Sequence, residues 1–228
     1  ARELGIVVSN QPGRTAPIVA EHAFGLMFAV AKRAAFMTSA MKAGRWPRMD
    51  SVYLQGKTLG VIGTGNIGSE MARLGRAIGM HVIAWTFHAS TARAAQLGVE
   101  YVELDTLLRT ADVVSLHLKL TNDSRALIGR RAFGIMKPGT ILINCARGEI
   151  VDTEALIEAL DSGHLAGAGI DVYDQEPTSM EHPLLGCEQV VLTPHCADMT
   201  PEGVDRLNDG AVENVIAFIE GRPQNVVS

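Results

Sequence analysis

Three side chains in the C-terminal half of the chain have types that work together in acid–base chemistry on a carboxylate-bearing molecule. Arg147 lies in Asn144-Cys145-Ala146-Arg147-Gly148, Glu176 in Asp171-Val172-Tyr173-Asp174-Gln175-Glu176-Pro177, and His195 in Thr193-Pro194-His195-Cys196. An arginine holds a carboxylate through two parallel hydrogen bonds. A histidine passes a proton near neutral pH, and a carboxylate beside it fixes its tautomer. Taken singly, each has an ordinary alternative: a surface ion pair, a loop histidine, a solvated charge. Taken together beside a nicotinamide, they suffice to reduce a 2-oxo acid. Arg147 would bind the carboxylate and polarise the carbonyl, His195 would protonate its oxygen, and Glu176 would steady the imidazolium.

The stretch Val61-Ile62-Gly63-Thr64-Gly65-Asn66-Ile67-Gly68 supplies the nicotinamide side of that argument. It follows a short apolar strand and precedes a segment with Met71, Leu74, Ala77 and Ile78 on one helical face, the context that gives G-x-G-x-x-G its meaning. Gly63 allows the tight turn, Gly65 lets a pyrophosphate approach the backbone, and Gly68 lets the helix pack close to the strand. The helix N-terminus offers unpaired N–H groups and positive dipole to the anion.

These groups need a scaffold, and the pattern around them supplies one. From Leu59 onward apolar strands and helices alternate: strands at 59–62, 81–85, 99–101, 112–116, 141–143, 166–171 and 190–192, with helices at 66–79, 89–97, 104–109, 130–136, 153–160 and 200–220. Such repeats predict an α/β fold, a doubly wound parallel sheet of Rossmann type, with right-handed crossovers and helices on both faces. Ligands then sit beyond the carboxyl ends of the strands. That rule selects residues 64–67, 86–88, 117–121, 144–147, 171–176 and 193–197 as one rim. Upstream, Ile6-Val7-Val8 reads as a buried strand. One long helix from Ile18 to about Ala43, apolar nearly all round, reads as buried on more than one side.

Bulk properties exclude other classes. The 228 residues are 47% hydrophobic and 20% charged, so a full core can form. A net charge of −5 without basic clusters argues against nucleic acid as a partner. The longest apolar stretch, residues 18–36, is interrupted by Glu21, His22, Lys32 and Arg33, and no membrane partner is expected. Cys145, Cys187 and Cys196 have no framework spacing, and with no signal-peptide pattern at Arg2-Glu3 the expected setting is the cytoplasm. His182, His195 and Asp198 match no zinc spacing, so no metal is expected. A nucleophilic Cys145 is disfavoured because it continues an apolar strand.

The chain resembles the D-isomer-specific 2-hydroxyacid dehydrogenases. The matching segments are Gly60 to Gly68, Asp112-Val113-Val114-Ser115-Leu116-His117-Leu118, Met136-Lys137-Pro138-Gly139, Asn144 to Gly148, Asp171-Val172-Tyr173 with Glu176-Pro177, and Thr193-Pro194-His195. Arg147 and Glu176 stand 29 positions apart, as in the family. The resemblance implies that Arg147, Glu176 and His195 are the catalytic set of a D-specific 2-hydroxyacid oxidoreductase using NAD or NADP. It implies that Gly63, Gly65, Asn66, Ile67 and Gly68 hold the pyrophosphate and that Leu118 and Thr121 border the adenosine. Cys145, Ala146 and Arg147 would line the nicotinamide ribose side. Asp171, with His195 and Ala197 nearby, would meet the nicotinamide.

It further implies a homodimer built through the helix at 18–43, with Trp46 packing at the contact. Residues 1–14 are expected to be a piece of a truncated, flavodoxin-like substrate domain, residues 15–198 the coenzyme-binding domain, and residues 199–228 a helix and strand returning to the substrate domain.

Two departures bear on the coenzyme. An aspartate that would bond the adenine ribose is replaced by Thr86-Phe87-His88, so a 2′-phosphate is not repelled and His88 or Arg93 is available to it. Lys119 stands where a proline is common and reads as a solvated charge. The rival from another class is a dinucleotide-sensing binding protein of corepressor type, which would keep the fold and the catalytic set. A transferase on the same sheet is disfavoured by Arg147, Glu176 and His195.

Overall fold

A computed structural model describes residues 1–227. Its centre is a seven-stranded parallel sheet built from β1 (Thr58–Ile62), β2 (His81–Trp85), β3 (Glu100–Tyr101), β4 (Val113–Leu116), β5 (Thr140–Asn144), β6 (Leu165–Ile170) and β7 (Val190–Leu192), in the order β3-β2-β1-β4-β5-β6-β7. The inner strands are mostly apolar because both faces are covered. All of β4 and β5 is buried, and successive residues serve opposite cores. Ile141 and Ile143 face one cluster with Leu59, Val61 and Met71, whereas Leu142 faces the other with Leu107, Phe133 and Leu156.

The helices α1 (Ala16–Ala31), α2 (Ala34–Lys42), α3 (Asn66–Ala77), α4 (Thr91–Leu97), α5 (Leu104–Thr110), α6 (Arg130–Ile135), α7 (Thr153–Asp161) and α8 (Pro201–Ile219) complete the fold. α1 and α3 pack together over one face, and α5, α6 and α7 cover the other. Side-chain caps mark the starts of α4, α7 and α8: the Asp152 carboxylate, for instance, accepts from the Ala155 N–H at 3.1 Å, and the Thr200 hydroxyl from the Gly203 N–H at 2.9 Å.

Strand order fixes where ligands can bind. The chain winds from β1 outward to β3, then crosses back to β4 beside β1. The crevice at that reversal lies between the loop after β1 and the loop after β4. Because every strand is parallel, all the residues of the anticipated rim emerge on one edge. From β2 to β6 that edge runs four strand spacings, roughly 19 Å.

Two expectations are corrected. The helix read as continuous from Ile18 to Ala43 is two helices. Arg33 takes a left-handed φ of 50°, the Val52 N–H claims the Ala31 carbonyl at 2.9 Å, and the Lys32 ammonium donates to the Val52 carbonyl at 2.7 Å. The returning segment at Val52 thus takes the carbonyl that would have continued the helix and holds the Lys32 side chain beside it. Only Ala40 of α2 is buried, so the all-round apolar character belongs to α1 alone. Second, Ile6-Val7-Val8 is not a buried strand. All three are exposed, and this end of the chain pairs with Val226–Val227 through one antiparallel bridge, Ser9 to Val226, and the Val227 N–H to the Val8 carbonyl at 2.9 Å. Neither segment joins the sheet, so neither gains a covered face.

Below the sheet, at the amino end of β4, Asp112 accepts from the Lys137 ammonium at 2.7 Å and from the Thr58 N–H at 2.8 Å. Partial burial pushes its carboxyl up, but the Lys137 and Thr58 hydrogen bonds and the Lys57 charge outweigh that and hold it below the ordinary 3.8. A lowered folded-state value stabilises the fold at every pH above 3.8, and that contribution is lost as pH falls through the lowered value. Asp112→Asn is therefore expected to cost about 1–3 kcal/mol at neutral pH and to flatten the acid limb of stability. Chemical denaturation across the range below 3.8 checks it; an unchanged acid limb would refute the assignment.

Candidate active site

The loop after β1 takes the shape its glycines permit. Gly63 has φ of 93°, and a Cβ there would stand 2.7 Å from the His117 carbonyl oxygen and 2.9 Å from Leu118. A Cβ on Gly68 would overlap the Gly63 carbonyl, which is how α3 starts tight against β1. Gly65 differs: nothing lies within 4 Å of a Cβ built on it. It is the helix N-cap, with Asn66 and Ile67 opening α3. Two glycines therefore answer to the protein's own packing, and the third leaves open space before a helix N-terminus. That is the arrangement a pyrophosphate requires.

Just past the end of β2, Thr86 is partly buried and His88 is exposed. The Arg93 guanidinium turns back under the glycine-rich loop, donating to the Ser69 hydroxyl at 2.8 Å and the Thr64 carbonyl at 3.3 Å. After β4, Leu118 lies against Gly63, and Thr121 opens a turn closed by its N–H to the Ser124 hydroxyl at 2.8 Å. Lys119 is exposed, a solvated charge as expected. His117 was absent from the candidate set. Burial pushes its imidazole down to about 4, so it is neutral, and its Nε2 meets the Ser115 hydroxyl at 2.8 Å.

The reacting end is assembled by β5, β6 and β7. Asn144, the last residue of β5, is buried and clamps the next turn with its own amide: Oδ1 accepts from the Ala146 N–H at 3.0 Å and Nδ2 donates to the Arg147 carbonyl at 2.9 Å. That fixes Cys145 and Ala146 below the rim and leaves the Arg147 side chain exposed, donating to the Ala146 carbonyl at 2.6 Å. A Cβ on Gly148 would run into the backbone of Tyr173 and Asp174, so the Arg147 loop and the Glu176 loop lie in direct backbone contact.

Glu176 and His195 meet as the sequence implies. His195 Nδ1 lies 2.6 Å from Glu176 Oε2, and the Tyr173 N–H donates to Oε1 at 2.9 Å. Desolvation raises the Glu176 carboxyl, but the bonds from His195 and Tyr173, with the charges of His195 and Arg147, prevail and hold it below its ordinary 4.5. It is thus an anion at neutral pH and orients the ring, leaving Nε2 to act on a ligand. His195 sits at φ of 51°, a backbone conformation side chains rarely adopt. Beside the pair opens a hollow of about 650 Å³ walled largely by Pro177, Leu185, Leu192 and Pro194.

Asp171, just past β6, is 1% exposed. Burial raises its carboxyl; hydrogen bonds from His22, Thr193 and the Cys196 N–H lower it by more. Oδ1 accepts from the Thr193 hydroxyl at 2.5 Å and the Cys196 N–H at 3.0 Å, and Oδ2 from the Ala197 N–H at 3.1 Å. Since the Thr193 hydroxyl donates to Asp171, it must accept from His22 Nε2, 3.0 Å away. His22, on α1, was overlooked in the sequence. Its position follows from packing: α1 lies on β6 so closely that Cβ atoms on Gly167 and Gly169 would touch Val30 and Leu26 at 2.8 and 2.9 Å. Four residues per step on the helix track two per step on the strand, about 6 Å each. One further step sets His22 over Asp171.

His182 lies elsewhere, with Nε2 3.5 Å from Asp174 and its ring edge-on to Tyr173. Cys145 is buried, and desolvation with the nearby Asp171 charge pushes its thiol far up, so it is no nucleophile.

Residues 24–197 match the family described as D-isomer specific 2-hydroxyacid dehydrogenase, NAD binding domain. A glyoxylate reductase of Aeropyrum pernix is 40% identical over 238 residues, spanning 100% of this chain and 71% of the relative. A D-3-phosphoglycerate dehydrogenase of Archaeoglobus fulgidus is 42% identical over 227 residues, spanning 98% of this chain and 43% of the relative. The crystal structure of an Aquifex aeolicus D-lactate dehydrogenase complexed with NAD and lactic acid superposes with a TM-score of 0.86 at 33% identity, over 97% of this chain and 72% of that one.

The backbone contact at Gly148 yields a test of the site's rigidity. Gly148→Ala is expected to force the Arg147 and Glu176 loops apart, costing about 1–3 kcal/mol of stability as overpacking does. Denaturant midpoints measure this. A variant as stable as the parent would show that the two loops are not held against each other.

Proposed function

We propose, from the premise that this chain belongs to the D-isomer specific 2-hydroxyacid dehydrogenase family, that it carries the coenzyme-binding and catalytic machinery for reducing a small 2-oxo acid to the D-2-hydroxy acid, and for the reverse. The observation that carries the reading is the Glu176–His195 pair at 2.6 Å on the same strand-end rim as Arg147 and the glycine-rich loop.

The residues fit a nicotinamide dinucleotide. Gly65 leaves room for the pyrophosphate before the N-terminus of α3, and the buried Asp171 carboxylate has no lysine or arginine partner among the described residues, so it suits a positively charged ring or an amide donor. Gly63, Asn66, Ile67 and Gly68 would hold the pyrophosphate, Leu118 and Thr121 the adenosine, and Cys145, Ala146, Asp171 and Ala197 the nicotinamide side. When bound, the nicotinamide supplies the hydride. Arg147 holds the substrate carboxylate and draws electron density from the carbonyl. His195 delivers a proton from Nε2 to the carbonyl oxygen. Glu176, ionised at neutral pH, fixes the ring through Nδ1 and balances the imidazolium charge.

Coenzyme choice turns on the end of β2. No carboxylate lies between Thr86 and Val99, so nothing there repels a 2′-phosphate, and the chain would take both NADH and NADPH. The test is oxidation of each coenzyme with glyoxylate, hydroxypyruvate and pyruvate by the intact enzyme. Turnover is expected with at least one acid, with the two coenzymes' affinities within about a hundredfold, or roughly 2.7 kcal/mol. His195→Gln should lower kcat by about 10²–10⁴ with coenzyme affinity retained. Silence with all three acids, or full turnover by the variant, would overturn the reading.

Residues 15–198 would form the coenzyme-binding unit, with residues 1–14 and 199–227 packing as a second one; Ser228, the last residue of the anticipated unit, lies outside the described residues. In support, the Asn214 amide donates to the Asn10 carbonyl at 2.9 Å, the Asn10 N–H to the Asn225 carbonyl at 3.0 Å, and Arg14 pairs with Glu213. The free thiols Cys145, Cys187 and Cys196 suit a reducing, cytoplasmic setting. Homodimerisation would bury the apolar surface of α2 and the segment after it, where Trp46 is 78% and Tyr53 67% exposed. Light scattering should give twice the chain mass, and Trp46→Glu should shift it toward the monomer; a monomeric parent rules the dimer out.

A further inference from the structure

The buried Asp171 carboxylate has a second use. A carboxylate removed from water is held by hydrogen bonds, by a positive charge, or by both, and Asp171 has the first without a permanent form of the second. Among the described residues Asp171 has only His22, 3.5 Å from Oδ1, and a histidine is a cation only when protonated. When oxidised, the nicotinamide of the proposed function would bring that charge. When the coenzyme is gone, the carboxylate is left with hydrogen bonds alone.

The groups around it are those that bind a borderline-soft metal ion. The ligand atoms of His22, Asp171 and Cys196 all lie within 4.8 Å of one another. They come from α1, the end of β6 and the loop after β7, so the fold alone assembles them. We propose that His22, Asp171 and Cys196 form a three-ligand Zn²⁺ site that excludes the nicotinamide, so that the free enzyme is held inactive by zinc and released by coenzyme. The exclusion clause rests on the placement of the nicotinamide at Asp171; the metal site itself does not.

The geometry is close to what zinc needs. Bonds of about 2.0–2.3 Å in a tetrahedron set ligand atoms roughly 3.3–3.8 Å apart. The His22 to Asp171 distance of 3.5 Å already falls there. The thiol lies within 4.8 Å of both partners and is free to adjust by rotating about its own side-chain bond. Asp171 is held by three hydrogen bonds from the Thr193–Ala197 loop, two of them on Oδ1, so one ligand is fixed beforehand and the ion takes the lone pair that the Thr193 hydroxyl gives up as it turns away. The His22 side chain is 24% exposed and Cys196 is only partly buried, which gives the ion a way in. On binding, the imidazole proton moves from Nε2 to Nδ1. The Cys196 thiol gives its proton to solvent as the metal–sulfur bond forms. The fourth position is left for water, as in zinc sites with three protein ligands. The N/O/S donor set favours zinc over calcium or magnesium, which take oxygen.

The test uses the whole chain and Co²⁺ as a spectroscopic stand-in, followed by Zn²⁺ in competition. One equivalent of Co²⁺ should produce a thiolate charge-transfer band that Zn²⁺ abolishes and Mg²⁺ does not. Cys196→Ser should remove the band, and His22→Gln should weaken affinity by more than the roughly tenfold that loss of an outer-shell partner costs. Cys187→Ser, a thiol away from the cluster, should change nothing. NAD⁺ should displace the metal in proportion to its occupancy. Absence of the band, or its survival in Cys196→Ser, overturns the metal site whatever the coenzyme does. A band that obeys both variants but ignores saturating NAD⁺ supports the site and overturns the exclusion of the nicotinamide.

Discussion

A carboxylate with almost no contact with water holds the catalytic end of this molecule together. Asp171 accepts hydrogen bonds from Thr193, Cys196 and Ala197, so the loop after β7 is wrapped around the end of β6. Through Thr193 it is tied to His22 on α1, and the Thr193 carbonyl in turn accepts from the Tyr173 hydroxyl at 3.0 Å. His195 stands two residues along the same loop, and its Glu176 partner is fixed by the Tyr173 N–H. One buried charge therefore sets three elements relative to one another, and the Glu176–His195 pair inherits its geometry from them. A charge in this position is expensive to bury unless hydrogen-bonded, and here nearly every lone pair is used.

The two ends of the crevice are built by opposite means. At the glycine-rich loop the protein makes room by leaving side chains out: Gly63 and Gly68 fit the backbone to itself, and Gly65 leaves a space. At Asp171 it adds groups until the polar atoms are satisfied. The first end offers partial positive charge from backbone N–H groups, the second a full negative charge. A molecule lying along the edge with an anion in its middle and a cationic ring at one end would meet the complementary charge at both points.

Much of this was legible in the sequence because the governing signals are local. Strand–glycine–helix order and short apolar runs alternating with helical stretches placed every strand of the sheet to within a residue or two. The rim followed from one topological rule, and Arg147, Glu176 and His195 fell on it. What escaped depends on contacts between distant segments. The break at Arg33 is imposed by Val52, which arrives from 21 residues downstream to claim the Ala31 carbonyl. The exposure of Ile6 to Val8 reflects the short segment they pair with, which their own β-forming character does not reveal. His22 was missed because its partners are 149 and 171 positions away. A signal did exist: glycines alternating along β6 at 167 and 169 mark a helix in close contact, and the helix residues four apart, Val30, Leu26 and His22, are the ones that ride on it.

His195 occupies a left-handed backbone position, where a glycine or asparagine would sit with less strain. Stability and reactivity therefore ask for different residues at one place in the chain. Any procedure that optimises this protein for thermal robustness alone, whether by consensus, by design software or by heat selection without an activity screen, would be drawn to replace the residue to which the proposed function assigns the proton transfer. A stabilised variant of this fold would be informative for that reason: whether it retains the histidine tells which pressure shaped it.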